Sequence, residues 1–268
     1  MLKTSSTFHA SDGAAYERWL GRWARRLAPA FIDFAGFAED GDLLDVGCGT
    51  GALTAAMAER WPRRRVIGVD LADDFIAFAR AQRQGRAIFE IGDACAINHD
   101  DGTFAGSAAQ LLLLFVPQPE RALREMRRVT RPGGRVAAAV WDSRGGLVFQ
   151  RMLWDTAVAF DPRARRVRDR LFAHPLAIPG GLAALFGDAG LDQIASASLT
   201  VRMDFADFAD YWEPLLGGQG PVGSYFAELD EDLKARIRAA LRDAYCSGAD
   251  DGPRSFTATA WAVRGTVP

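Results

Sequence analysis

The segment Leu43-Leu44-Asp45-Val46-Gly47-Cys48-Gly49-Thr50-Gly51 constrains this chain more than any other. It reads as a buried strand ending in an acid, followed by a turn of alternate glycines. Helix-forming residues follow at once (Ala52-Leu53-Thr54-Ala55-Ala56-Met57-Ala58). Glycines without Cβ atoms let a ligand approach the backbone of the turn. The first N–H groups of the next helix have no intrahelical partners and point the same way. Asp45 adds a carboxylate at the strand tip, which suits a cationic amine better than a pyrophosphate.

A second acid follows. Arg65-Val66-Ile67-Gly68-Val69-Asp70 is another short apolar strand with an acidic end. In doubly wound folds an acid about 20 residues beyond the glycine turn accepts hydrogen bonds from ribose hydroxyls. Two cofactor classes fit this arrangement: nicotinamide or flavin dinucleotides, and S-adenosylmethionine. The glycines alone do not separate them, since Gly47-x-Gly49-x-x-Ala52 also satisfies the loose dinucleotide pattern.

Four segments, in order, resemble the motifs of class I S-adenosylmethionine-dependent methyltransferases. Asp45-Val46-Gly47-Cys48-Gly49-Thr50-Gly51 is similar to the first motif, and Asp70 to the ribose acid with Leu71 beside it. Ile91-Gly92-Asp93-Ala94 matches the segment after the third strand, where the acid and the next N–H meet adenine. Arg131-Pro132-Gly133-Gly134-Arg135-Val136 matches the turn into the fifth strand. The resemblance covers roughly residues 40–142. Tyr16, Gly21-Arg22-Trp23 and Ala260-Trp261-Ala262-Val263 more loosely resemble bacterial small-molecule methyltransferases near the ubiquinone-biosynthesis type. One departure is Phe104-Ala105, where the family often has Phe-Asp; the acid there tends to be structural.

The resemblance implies an α/β fold with a doubly wound, mostly parallel seven-stranded sheet, its last strand antiparallel, and a helical cap. Alternation of strands and helices from about residue 42 independently predicts a parallel sheet with right-handed crossovers. The strands are expected near 42–47, 65–70, 86–91, 106–114 and 135–141. At 268 residues one domain is expected. It would have an N-terminal helical lid over about 1–35. The sheet core would span about 40–142, 180–205 and 255–265, and cap insertions about 143–175 and 206–250. Pro29 is expected to kink or divide the first helix. Residues 161–175, rich in Arg and Pro, show no clear regularity. Phe205–Leu216 and Tyr225–Tyr245 read as two further helices.

The function follows as a methyl transfer from S-adenosylmethionine to a small-molecule acceptor by in-line displacement, leaving S-adenosylhomocysteine. A non-catalytic S-adenosylmethionine-binding regulatory protein and an NAD(P)-dependent oxidoreductase are the alternatives. The candidate cofactor contacts are Asp45, Gly47, Cys48, Gly49, Gly51, Asp70, Leu71, Asp93, Ala94, Gln110, Tyr16 and Arg22. The candidate acceptor contacts are Trp141 at the end of the fifth strand, and His174, Tyr211 and Trp212 in the cap. No catalytic base is assigned, although His174 is considered for that part. The run Asp161-Pro162-Arg163-Ala164-Arg165-Arg166-Val167-Arg168 is read as a solvated face, with an anion or acidic-substrate role as the alternative.

Composition bounds the rest. A net charge of −2 gives no reason to expect nucleic acid or an anionic membrane surface. Cys48, Cys95 and Cys246 have no paired spacing, and the N-terminus has no apolar signal region, so a reduced cytoplasmic protein is expected. No apolar stretch approaches the ~18 residues of a membrane span. His9, His99 and His174 are not spaced with acids as metal ligands are, so no metal is expected. The sequence carries no indication of oligomeric state.

Overall fold

The computed structural model describes residues 6–8, 12–82 and 86–268. His9 and the remainder of the first eleven residues lie outside these. Seven strands form one sheet: β1 Leu43–Val46, β2 Val66–Asp70, β3 Ala87–Ile91, β4 Phe104–Gln110, β5 Thr130–Trp141, β6 Asp192–Phe205 and β7 Arg254–Thr266. Their order is β3-β2-β1-β4-β5-β7-β6. The first five are parallel, and β7 runs antiparallel to both β5 and β6. Strand order reverses between β1 and β4. Open α/β sheets bind ligands beyond the carboxyl ends of the strands at such a point.

Helices cover both faces. A single turn α1 (Gly13–Tyr16) and a π-helical turn over Glu17–Gly21 lead into α2 (Arg22–Ala35). Within the core follow α3 (Ala52–Arg60), α4 (Asp73–Ala81) and α5 (Pro119–Val129). Next come α6 (Val148–Val158), α7 (Pro162–Phe172), α8 (Gly181–Asp188), α9 (Phe208–Trp212), α10 (Gly220–Ala227) and α11 (Glu231–Cys246). One face of the sheet packs on α2 and α3, and the other on α5 and α8. The parallel strands have partners on both sides, so β1 and β4 are buried along their whole length.

Several expectations need correction. α2 runs unbroken through Pro29, and the irregular segment is the π-helical turn before it. The expected lid over 1–35 is too long. Within α2, Trp23 is 2% exposed and Leu27, Ala28 and Phe31 are fully buried against the sheet and α3. Burying each large apolar side chain contributes roughly 1.5–3 kcal/mol, which makes α2 a core element. Residues 161–175 contain α7. The signal was present: Asp161 caps the helix by accepting from the Arg163 N–H at 2.9 Å, and Pro162 takes the first helical position. The helix expected over 225–245 is two helices. Asp230 is extended and accepts from Leu233 N–H at 2.8 Å, which stops α10 and starts α11. Phe205–Leu216 is helical only from Phe208, since β6 continues to Phe205. β4 ends at Gln110, four residues sooner than expected, because Leu111 adopts a left-handed φ of 66°. β5 starts directly at Thr130, and Pro132-Gly133-Gly134 forms an irregularity within it.

Candidate functional site

The glycine turn and the end of β4 face each other across the reversal point. Between them lies a cleft of about 280 Å³. Its walls include Gly47, Gly49, Asp70, Leu71, Asp93, Ala94, Gln110 and Tyr16, which were all expected as cofactor contacts. Phe8, Phe75, Leu111, Leu112 and Phe115 also line it, although no local motif marks them.

Asp70 organises the cleft. Its carboxylate accepts from the Gly49 N–H at 2.8 Å and from the Ala72 N–H at 2.9 Å. The strand-end acid therefore holds the glycine turn as well as facing the cleft. Burial pushes its pKa up, and the backbone N–H groups oppose that. Asp70 thereby also braces the start of α4, whose first residue is Asp73 and whose cap position, Ala72, has no side-chain acceptor of its own. Gly49 has φ +54°, and a Cβ there would meet only Phe75 Cδ2, at 3.9 Å. Gly51 differs: with φ +91°, a Cβ would lie 2.8 Å from Phe89 Cζ. Gly49 thus leaves ligand space, while Gly51 permits packing beneath the turn.

Other expected contacts sit elsewhere. Asp45 is 1% exposed beneath the turn and off the cleft wall. It accepts from Thr54 Oγ1 at 2.6 Å, and its Oδ1 has no partner among the described residues. Burial pushes its pKa up to about 7, with Thr54 opposing and Asp70 adding to the rise. Cys48 is buried in the turn, where burial and the nearby Asp45 and Asp70 raise its thiol far above the ordinary range. Such a thiol is not reactive. Arg22 points away from the cleft: it pairs with Asp210 at 2.7 Å and lies over the Trp23 and Phe205 rings, joining α2 to α9.

Gln110 is the deepest polar group of the cleft. Its Nε2 donates to Ala24 O at 2.9 Å, tying β4 to α2, and its Oε1 has no partner among the described residues. The orphaned groups here are acceptors, and the charged residues on the cleft wall are Asp70 and Asp93. A ligand with cationic N–H donors fits this wall. A pyrophosphate does not, since no cation lines the cleft among the described residues. S-adenosylmethionine carries an ammonium and ribose hydroxyls, so the residues present fit it.

A second, larger cavity of about 1120 Å³ adjoins the cleft. Phe8, Tyr16, Leu111, Phe115 and Val116 line both. The cavity wall also includes Trp19, Leu20, Trp141, Leu147, Val222 and Tyr225, together with one face of α7. Trp141 and His174 therefore lie where acceptor contacts were expected. Tyr211 and Trp212 do not. Tyr211 donates to Phe149 O at 2.9 Å and packs with Phe205, Phe208 and Tyr245, while Trp212 packs on Phe208 and Phe226. Both are core residues of the cap. Tyr16 remains a neutral phenol, since burial and Asp70 raise its pKa.

Residues 44–138 match the family model described as a methyltransferase domain. That segment holds the glycine turn, Asp70 and Asp93, so the cleft is built largely from the residues that resemble a methyltransferase domain. Across 87% of its length the chain is 26% identical to nocamycin O-methyltransferase of Saccharothrix syringae, covering 88% of that protein. It is 34% identical to demethylmenaquinone methyltransferase of Thermus thermophilus over 43% of its length, and there it spans about half of the relative (52%). Its fold matches the YcgJ protein of Bacillus subtilis with a TM-score of 0.57 at 18% identity, over 90% of this chain and 97% of that one. As the resemblance implies, the sheet has seven strands with an antiparallel β7.

Proposed function

We propose that this protein is a methyltransferase that binds S-adenosylmethionine in the smaller cleft and methylates a bulky, largely apolar small molecule in the larger cavity. The observation that carries this reading is the shared wall of Phe8, Tyr16, Leu111, Phe115 and Val116. A cofactor in one compartment can present a group to a molecule in the other only there. The cavity is at the upper end of small-molecule sites, which run about 300–1,000 Å³. Nocamycin and demethylmenaquinone, named for the relatives' acceptors, are organic small molecules and fit the same reading.

Asp70 would hold the ribose hydroxyls, and Asp93 with Ala94 the adenine edge. Gly47, Gly49 and Gln110 would surround the methionine part, with Gln110 Oε1 accepting from its ammonium. Asp45, beneath the turn, would ionise more readily once an ammonium lies above it. When bound, the sulfonium supplies an electrophilic methyl open to in-line displacement. The protein's part is then orientation and exclusion of water. Ordering two reactants removes roughly 7–11 kcal/mol of barrier. Trp141, Leu111 and Tyr16 would press the acceptor toward the shared wall.

A base at His174 is not supported in this arrangement. Its Nδ1 accepts the Leu176 N–H at 3.2 Å, so the neutral ring carries its proton on Nε2. Burial lowers its pKa, which keeps it neutral. His174 offers a donor to the cavity and cannot take a proton there.

The lid, in this reading, is the segment before α2. Phe8 stacks edge-on to Tyr16 and Phe115, and the Thr7 N–H donates to Phe115 O at 2.8 Å. Calorimetry tests the whole reading. S-adenosylhomocysteine should bind in the micromolar range, about −8 kcal/mol, and NADH should not compete. NADH binding more tightly would overturn it. S-adenosylhomocysteine should also slow proteolytic cutting ahead of residue 22, and equal cutting rates with and without it would remove the lid.

A further inference from the structure

The basic run that reads as a solvated face in the sequence turns one side of α7 into a wall of the acceptor cavity. Arg163, Arg166, Val167, Arg170, Leu171 and His174 all line it, at the three- and four-residue spacing that gathers side chains on one helix face. The polar members of this wall are donors. Arg163 is already satisfied: its Nε meets Asp161 at 3.0 Å, and Glu228 adds a favourable charge. Arg166 and Arg170 have no ion pair or hydrogen bond among the described residues. His174 presents Nε2–H beside them, because Leu176 occupies its other nitrogen. Two acids also reach the cavity, Glu228 near Arg163 and Asp188 on α8, and neither forms an ion pair with Arg166 or Arg170. The rest of the wall is apolar and aromatic, with Trp19, Leu20, Trp141 and Leu147 toward the cofactor side.

We propose that the acceptor is an amphipathic anion, whose oxyanion group is held by Arg166 and Arg170 while its apolar body fills the cavity toward the shared wall. The inference rests on the larger cavity being the acceptor site of a methyltransferase. The anionic end lies at α7 and the methylated end near Leu111 and Tyr16, so the two ends of the acceptor are read by different elements. A carboxylate and a phosphate monoester present the same oxyanion chemistry, and guanidinium forks suit either.

The test uses the full chain saturated with S-adenosylhomocysteine, titrated with 2-naphthylacetate, 2-naphthylacetamide and 2-naphthyl phosphate. One or both anions should bind at least tenfold more tightly than the neutral amide, and the tighter of the two names the head group. The double variant Arg166→Gln/Arg170→Gln should lose that preference. Its melting temperature and S-adenosylhomocysteine affinity should not change, since both side chains are exposed at the mouth of the cavity. Equal binding of amide and anions, binding of none of the three, or a preference that survives in the double variant overturns the proposal. Failure of S-adenosylhomocysteine to bind the unaltered protein is a different result. It removes the underlying reading before any naphthyl probe is added.

Discussion

The cofactor cleft and the acceptor cavity are built in opposite ways. The cleft is shaped mostly by backbone: two positive-φ glycines, strand ends, and an acid whose two oxygens take main-chain N–H groups. The cavity is shaped by side chains from separated elements, the π-helical turn, β5, α7 and α10 among them. A site made of backbone tolerates few residues and announces itself in sequence. A site made of side chains can be lined in many ways and leaves no fixed motif. The family match follows the same division, covering residues 44–138 and stopping before α7.

The contrast is broken most forcefully at Gly49. Its Cβ position opens to the cleft, so Gly49→Ala should cost the ligand-free protein on the order of 1–3 kcal/mol for its φ of +54° yet leave it folded, while weakening S-adenosylhomocysteine at least 100-fold, about 2.7 kcal/mol. Normal affinity by calorimetry would show that the cleft is not a backbone cradle. Asp70→Asn comes next. The amide cannot accept at both ends, so one of the Gly49 and Ala72 N–H groups loses its acceptor. Affinity should fall by roughly 1.5–3 kcal/mol, and the ligand-free protein should also lose about 1–3 kcal/mol in a denaturant titration. A change in affinity alone would mean that Asp70 serves the ligand and not the turn.

Asp45 sharpens the comparison through pH. Burial holds its folded-state pKa up to about 7, above the unfolded value near 3.9. The stability it contributes is therefore complete below about pH 4 and is lost as pH rises through about 7. Asp45→Asn removes this titration. Between about pH 4.5 and 8 the variant should lose on the order of 2 kcal/mol less stability than the parent. Parallel pH profiles would place the carboxylate in a less buried setting. The smallest effect is expected at Trp141→Leu. It changes the cavity wall only, so S-adenosylhomocysteine affinity should stay within about threefold. A larger loss would mean that the two compartments are coupled through β5.

How much of this was legible follows from the same physics. Asp45 to Gly51, Asp70 and Asp93-Ala94 could be read because strand, turn and acid are adjacent in sequence and each needs a restricted set of residues. The parallel part of the sheet followed from the alternation of periodic segments, whereas the antiparallel β7 came only with the family resemblance. Tyr211, Trp212 and Arg22 were misread because their partners, Phe149, Phe226 and Asp210, are distant in sequence, and an aromatic residue in a cap looks the same whether it faces a cavity or a core. The dense Arg content of α7 hid its cap at Asp161-Pro162, and with it the one helix face that reaches the acceptor. Phe8 and Phe115 meet across more than a hundred residues and carry no local signature.

Leu111 stands where the two compartments meet, with φ 66° and its N–H donating to Ala139 O at 2.8 Å. A non-glycine residue in that conformation costs on the order of 1–3 kcal/mol, and a β-branched one fits still less well. Few residues can therefore stand at the doorway between cofactor and acceptor, and those that tolerate the conformation best, glycine, asparagine and aspartate, are all smaller than leucine. A lineage adapting this enzyme to a new acceptor has little freedom there. It has much more along α7, where one substitution alters a single side chain and leaves the sheet as it was.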